Sequence, residues 1–508
     1  MKKKIVLSLL VLVALLTITG CGKNEENNGG SGENNNAFSI KEGTNYAIFS
    51  DTGKKLTGFE FTYVGNFNNG VALVKNAKGE SGVINTNGKM VIPFGKYKYV
   101  YQEASLFKVT DNDGNSFLIS PKGKEITSLK NKTTSSFIGI DECLLLLDKD
   151  KNEYQLLDSN GDAIVKFAKG SSDDKPTTNK IKDFLSLYNE GKNYIIDLKN
   201  RKVALEFDSN EHYCINDVSS DGKTITLNSC VGMFQKQDEV KYKFIKDGKL
   251  YDLSDKCEKV LLNSENLVCV KEGYNYLLDS DFNVTIKIDG ASYIDADHYA
   301  KHKDGSFNGI DFYEKDNVVK NVECRTMHDY GYSREGIYLL TTYFSTPCGT
   351  SSGTYDYYNA KGEKLFDKSF ASAQKFDTNS LARVGDDKKN LYLIDTKGNK
   401  VTDEYDNIYL RSDYYIVTKN QLVGLLDNNG KVVLEPKYNQ VDIFEQNGNK
   451  FAKLTTTDSK YIIYNVNSKK EVMTFDTAPS VSTHYVTITK DGKKQYYTYS
   501  GKLFYTEQ

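Results

Sequence analysis

The chain contains no tryptophan, and its 508 residues include only 6 prolines, 5 histidines and 5 methionines. Five histidines leave little material for a Ser-His or Cys-His nucleophile pair. Lys and Arg (66) nearly balance Asp and Glu (68), for a formal charge of −2, so there is no basic excess to hold phosphates and nucleic acid is set aside as a partner. No CxxC occurs, which removes the usual spacing of a structural zinc site, and no H-E-x-x-H occurs. Gly222-Lys223-Thr224 ends like a phosphate loop, but Asp217 stands where its first glycine belongs. No cofactor or metal is expected. What is present in excess is 36 Tyr and 25 Phe, with 39 Gly.

The N-terminus carries its own signal. Lys2, Lys3 and Lys4 precede an apolar run over residues 5–16, too short to span a bilayer, which needs roughly 20 apolar residues. Ile18-Thr19-Gly20-Cys21 closes it and resembles the lipobox of bacterial lipoproteins. That resemblance implies a signal peptide over 1–20 and lipidation of Cys21, so that diacylglyceryl and palmitate-type chains hold the protein on the extracytoplasmic face of the cell membrane. The alternative is an ordinary secretory signal with an incidental Cys. Residues 21–37 are rich in Gly, Asn and Glu and read as a flexible polar tether.

Beyond the tether the chain repeats one unit. Its best copies are residues 80–100, ESGVINTNGKMVIPFGKYKYV, and 421–441, QLVGLLDNNGKVVLEPKYNQV. Each is a short apolar strand, a turn (Asn85 to Gly88, Asp427 to Gly430), a second strand and then Pro93 or Pro436. Asn or Asp at the first turn position can bond a backbone N–H two residues on, and Gly at the fourth supplies positive φ. Related turns end at Gly53, Gly123, Gly161, Gly362, Gly398 and Gly501, with weaker copies between, giving a period of about 35 residues that belongs to a repeat architecture.

Ser81-Gly82-Val83-Ile84-Asn85 to Gly88-Lys89, and Val423-Gly424-Leu425-Leu426-Asp427 to Gly430-Lys431, resemble the WG-containing (KWG-type) repeats of bacterial proteins. Here the Trp position is held by Ser81, Val423 and Tyr46, and in poorer copies Tyr194, Tyr276 and Tyr392 fill the neighbouring Gly position. The expected fold is all-β, with tandem antiparallel repeats of three or four strands. About thirteen such units would make two β-propeller-like domains, 38–288 and 289–508; the competing picture is an open curved array of hairpins.

In an exported chain, neighbouring cysteines are candidate disulfides: Cys214–Cys230, Cys257–Cys269 and Cys324–Cys348, with Cys143 a buried thiol. The competing reading keeps all of these reduced in the core. His298 and His302 lie on a strand, where about 13 Å would separate their rings, too far for one ion. Asp111-Asn112-Asp113-Gly114 lacks the closing Glu of a calcium loop, because Lys122 stands there. Gly349-Thr350-Ser351-Ser352-Gly353 matches a nucleophile elbow in letters but reads as a small-residue loop before a strand. Tyrosines cluster around 330–358, and Tyr330, Tyr332, Tyr355 and Tyr357 are the candidate ligand surface; the competing reading packs them between repeats in place of the missing Trp.

Together these observations lead us to expect a membrane-anchored, extracytoplasmic lipoprotein whose β repeats form a non-enzymatic module binding an extracellular glycan or protein. The alternatives are a glycan-acting enzyme on the same scaffold, or a structural spacer without a ligand.

Overall fold

A computed structural model describes residues 37–508 apart from 138–139, 171–174, 231–239, 264–265, 304–308, 329, 343–352, 388 and 447. The signal, Cys21 and most of the tether lie outside the described residues, as do Cys348 and most of the Gly349–Gly353 loop. The described chain is almost wholly β, and no helix in it is long and apolar enough to cross a membrane.

The turns set the pattern. Asn85 Oδ1 accepts the backbone N–H groups of Asn87 and Lys89, each at 3.0 Å, and Asp427 Oδ1 accepts those of Asn429 and Lys431 at 2.9 Å. Gly88 (φ 76°) and Gly430 (φ 78°) then take the left-handed conformation that L side chains resist. Each turn joins two antiparallel strands with a register shift just beyond it, as between Val83↔Ile92 and Ile84↔Met90. The shift explains the glycine of the repeat signature. A Cβ on Gly82 would lie 2.5 Å from Met90 Cε and 2.8 Å from Ile92 O, and one on Gly424 would lie 2.6 Å from Leu434 O. Where Tyr194 or Tyr392 takes that position instead, its ring is buried in the core of the repeat.

Most repeats are four-stranded meanders, such as Lys132–Phe137, Ile140–Asp148, Glu153–Asp158 and Ala163–Ala168 in that spatial order. Two larger sheets arise where one repeat runs into the next: Tyr46 pairs with Phe61 near the start, and the long strand Val432–Gln446 serves two repeats on either side of Pro436.

Packing between repeats follows a rule readable in the numbering. At several junctions the residue three places after one turn glycine fills the space against the next turn glycine. A Cβ on Gly88 would sit 2.9 Å from Leu56, one on Gly123 3.0 Å from Val91, and one on Gly430 2.8 Å from Val401. Among the described residues each of the eleven sheets shares an apolar core with the sheet before it and the sheet after it, and two further cores lie inside the two larger sheets. Each fully buried Leu, Ile or Val in them contributes about 1.5–3 kcal/mol.

The same rule closes the chain on itself. Phe504, three places after Gly501, lies 2.6 Å from where a Cβ of Gly53 would be. Phe38, Ile40, Ala47 and Phe49 of the first sheet share a core with Tyr496, and with Tyr485, Phe504 and Tyr505, of the last. Gln508 N donates to Glu42 Oε1 at 3.0 Å across the same seam. At the boundary expected between 288 and 289 the core does not break: Val268, Leu277 and Ile286 before it pack with Tyr293 and Tyr299 after it. Among the described residues each sheet thus shares a core with the next and the last shares one with the first, so the contacts run in a closed circuit.

A candidate ligand pocket between two repeats

The circuit is uneven where one repeat departs from the meander. Gly331–Tyr332 pairs in parallel with Ala291–Tyr293, through Ser292↔Gly331 and Tyr293↔Tyr332. Ser333 N donates to Tyr293 O at 2.7 Å, and the Ser292 and Ser333 hydroxyls meet at 2.8 Å. Tyr330, just before this added strand, comes beside the face of the preceding sheet, Lys259–Lys287, and an open depression of about 480 Å³ lies between them. That is within the size range of small-ligand sites, about 300–1,000 Å³.

Its floor is apolar, made by Leu261, Leu262, Val268 and Ile288, and its polar groups are Asn263, Asn275, Asp289, Tyr293 and Tyr330. These groups hold one another in place. Asp289 accepts the backbone N–H of Asn275 at 2.7 Å and its side-chain amide at 3.0 Å. Asn263 Nδ2 donates to the Tyr293 hydroxyl at 2.7 Å. Burial pushes the Tyr293 phenol above its ordinary 10.0, which the Asn263 bond partly opposes and the neighbouring Tyr332 reinforces, so it stays protonated at neutral pH. Tyr330 remains 48% exposed; its hydroxyl pairs with His302 Nε2 at 3.0 Å, and its carbonyl accepts from Lys375 Nζ at 3.2 Å.

Chemically the cavity offers an apolar surface, an accessible phenol ring and a rim of two amides and a carboxylate. That set suits a ligand with an apolar ring face and hydroxyl or amide edges. Among the described lining residues Asp289 is the carboxylate.

Of the four tyrosines expected at a ligand surface, Tyr330 alone lines this cavity. Tyr332 is half-buried, edge-on to Tyr293 at 6.1 Å, and Tyr355 is half-buried, edge-on to His328 at 4.8 Å. Tyr357 is not a surface residue: it is 1% exposed, packs with Phe370 and Phe376, and donates to Gln374 O at 2.6 Å. The strand Tyr355–Tyr358 is covered on both faces by neighbouring sheets, so alternation along it does not lead to solvent. Exposed tyrosines occur elsewhere, notably Tyr99 and Tyr101, 46% and 55% exposed and stacked at 6.1 Å.

Disulfides join Cys214 to Cys230 and Cys257 to Cys269, with Cα atoms 5.2 and 5.4 Å apart. Cys324 is disulfide-bonded and Cys348 lies outside the described residues. Cys143 is buried among Leu145, Tyr154 and Leu156. His298 and His302 sit at the two ends of one strand, the former bonded to Asp295 at 2.9 Å and the latter to Tyr330. Asp111 folds back on Asp113 and Asn115 as a polar turn. Asn263, Asn275, Asp289 and Tyr293 carry no sequence signal of their own, since the site exists only where two repeats meet.

Fold and site together define an all-β repeat protein with a pocket at one junction. The family model of the WG containing repeat matches three segments of the chain, residues 46–78, 82–103 and 424–453. No curated protein matches the chain. Among solved structures it is similar to a eukaryotic initiation factor (14% identity, covering 70% of this chain and 92% of that one, TM-score 0.29). It is also similar to the dihydro-heme d1 dehydrogenase NirN in complex with DHE (13% identity, 66% and 72% covered, TM-score 0.22). A third likeness is to apo AztD from Citrobacter koseri (12% identity, 64% and 93% covered, TM-score 0.22). At such TM-scores these likenesses carry no argument about function.

Proposed function

We propose that the protein is a membrane-anchored, extracytoplasmic lipoprotein whose circuit of β repeats is a non-enzymatic binding module, and that its ligand is a glycan taken into the cavity between Leu261 and Tyr330. The observation that carries this reading is the cavity itself: an apolar floor beside an exposed phenol ring, with Asn263, Asn275 and Asp289 on its rim. A sugar has an apolar C–H face that stacks on an aromatic ring and hydroxyl edges that amides and carboxylates recognise. Asp289 and Asn275 are already locked to each other, so binding orders few new side chains and loses little entropy there. The anchor rests on the sequence around Cys21.

Two experiments test the two halves. Cys21→Ser should release the protein from the membrane fraction, and retention there contradicts the anchor. Full-length protein in detergent, passed over immobilised cell-wall polysaccharide and separately over the cell's exported proteins, should be retained saturably by the polysaccharide. Capture by one exported protein instead moves the reading to a protein partner, and retention by neither refutes the binding reading.

A further inference from the structure

His212 immediately precedes the strand Tyr213–Val218, which carries Cys214, and Cys230 follows the neighbouring strand Thr224–Ser229. Cys230 N donates to His212 O at 2.8 Å, so the two strand ends are fastened beside each other. A ring nitrogen of His212 and both sulfurs lie within 4.8 Å of one another. The imidazole is held in one orientation: it stacks on Tyr188 at 5.6 Å and 17°, and its Nδ1 meets the Thr177 hydroxyl at 2.8 Å. Its Nε2 is buried and makes no hydrogen bond among the described residues, which leaves that nitrogen with a lone pair or a proton and no described group to receive it. A disulfide beside it uses neither.

We propose that the Cys214–Cys230 disulfide covers a latent Cys₂His site for a borderline-soft divalent cation such as Zn²⁺, opened by thiol reduction. A dithiol supplies two electrons and two protons: the S–S bond breaks, each sulfur takes one proton, and the dithiol leaves as its own disulfide. The cation then displaces both protons and binds two thiolates and His212 Nε2, with the fourth tetrahedral position filled by water. Thiolates around one zinc ion sit about 3.8 Å apart, and two strand ends whose Cα atoms are 5.2 Å apart can supply that spacing by side-chain rotation. The Thr177 hydroxyl on Nδ1 plays the outer-shell part that fixes the ring of a metal-bound histidine.

The test uses the full chain, reduced with a phosphine that is then removed, and titrated with Co²⁺ alone as a visible stand-in for Zn²⁺. Reduced protein should develop a thiolate-to-cobalt charge-transfer band and tetrahedral ligand-field bands at one ion per chain, and unreduced protein should not. Cys214→Ser should abolish the charge-transfer band or halve it, and His212→Ala should shift the ligand-field bands. Thr177→Val, which removes only the ring-orienting hydroxyl, should weaken the ion roughly 10–100-fold. The double variant Cys257→Ser with Cys269→Ser should leave the spectrum unchanged, with circular dichroism confirming the fold of each variant. A charge-transfer band undiminished without Cys214, bands lost with Cys257 and Cys269, or none in the reduced wild type each overturn the proposal.

Discussion

Removing the Phe38 ring should loosen both ends of the chain at once. Phe38 is 4% exposed and sits at the seam, 5.2 Å from His484, 5.1 Å from Tyr485, 5.8 Å from Phe504 and 6.1 Å from Phe49. Three of these four partners belong to the last sheet. Phe38→Ala leaves a cavity between the two sheets, and burial of this kind places its cost at about 3–5 kcal/mol. If the seam opens locally, each 1.4 kcal/mol is a tenfold change, so amide exchange should accelerate between about 100-fold and about 4,000-fold. Native-state hydrogen exchange read by mass spectrometry on peptides from Ala37–Ser50 and from Ser480–Thr506 is the assay. A closed circuit predicts that both peptides lose protection together, while the strands Ile140–Asp148 and Glu153–Asp158 do not change. Loss in the N-terminal peptide alone, as in an array with two free ends, refutes the seam.

Three further outcomes follow from the packing. Gly430→Ala should cost more than Gly114→Ala. Both have positive φ, about 1–2 kcal/mol of strain for an alanine, but a Cβ on Gly430 also meets Val401 at 2.8 Å while Gly114 has open space; denaturant melts should separate the two by about 1–3 kcal/mol. Asp356 is fully buried between Arg325 Nη2 (2.5 Å) and Lys364 Nζ (2.8 Å) and accepts from Ser369 at 2.6 Å. Asp356→Ala leaves the mostly buried Arg325 without its carboxylate and should cost about 3 kcal/mol or more, whereas a loss under 1 kcal/mol contradicts that ion pairing. Burial beside Phe38 holds His484 below its ordinary 6.5, with Asp51 acting weakly the other way, so the seam is built for the neutral ring. Its contribution is complete above pH 6.5 and is lost as pH falls toward the lowered value. Thermal melts of His484→Gln should lack the part of the acid slope that the wild type shows there; identical slopes refute that role.

The turn unit was legible because all its causes are local. Asn85, Asp427 and their glycines satisfy one another within five residues, and the glycines of the signature are forced by a bulge that begins in the same hairpin. The closure was not legible, since Phe38 and Phe504 meet only after every intervening sheet has been laid down. Nor was the shared core across residue 288, where Val268, Leu277 and Ile286 meet Tyr293 and Tyr299 only once both sheets are formed. Tyrosine density did not separate the half-exposed Tyr330 from the buried Tyr357, because alternation tells which face a residue takes and not what covers that face. Asn263, Asn275 and Asp289 look like ordinary turn and strand-end residues in sequence, and they acquire meaning only where Tyr330, just before the parallel strand, comes beside them.

The pocket is the centre of the account, and one comparison tests it most directly. Full-length wild type and Tyr330→Ala, matched in melting temperature, would be titrated against soluble fragments of cell-wall polysaccharide by calorimetry. Tyr330 is about half exposed, so its loss should leave the fold intact. The account predicts saturable heat for the wild type and affinity at least about tenfold weaker for the variant, as expected when a stacking ring worth about 1.4 kcal/mol or more is removed. Equal affinities for the two proteins, or no heat from either, would contradict it.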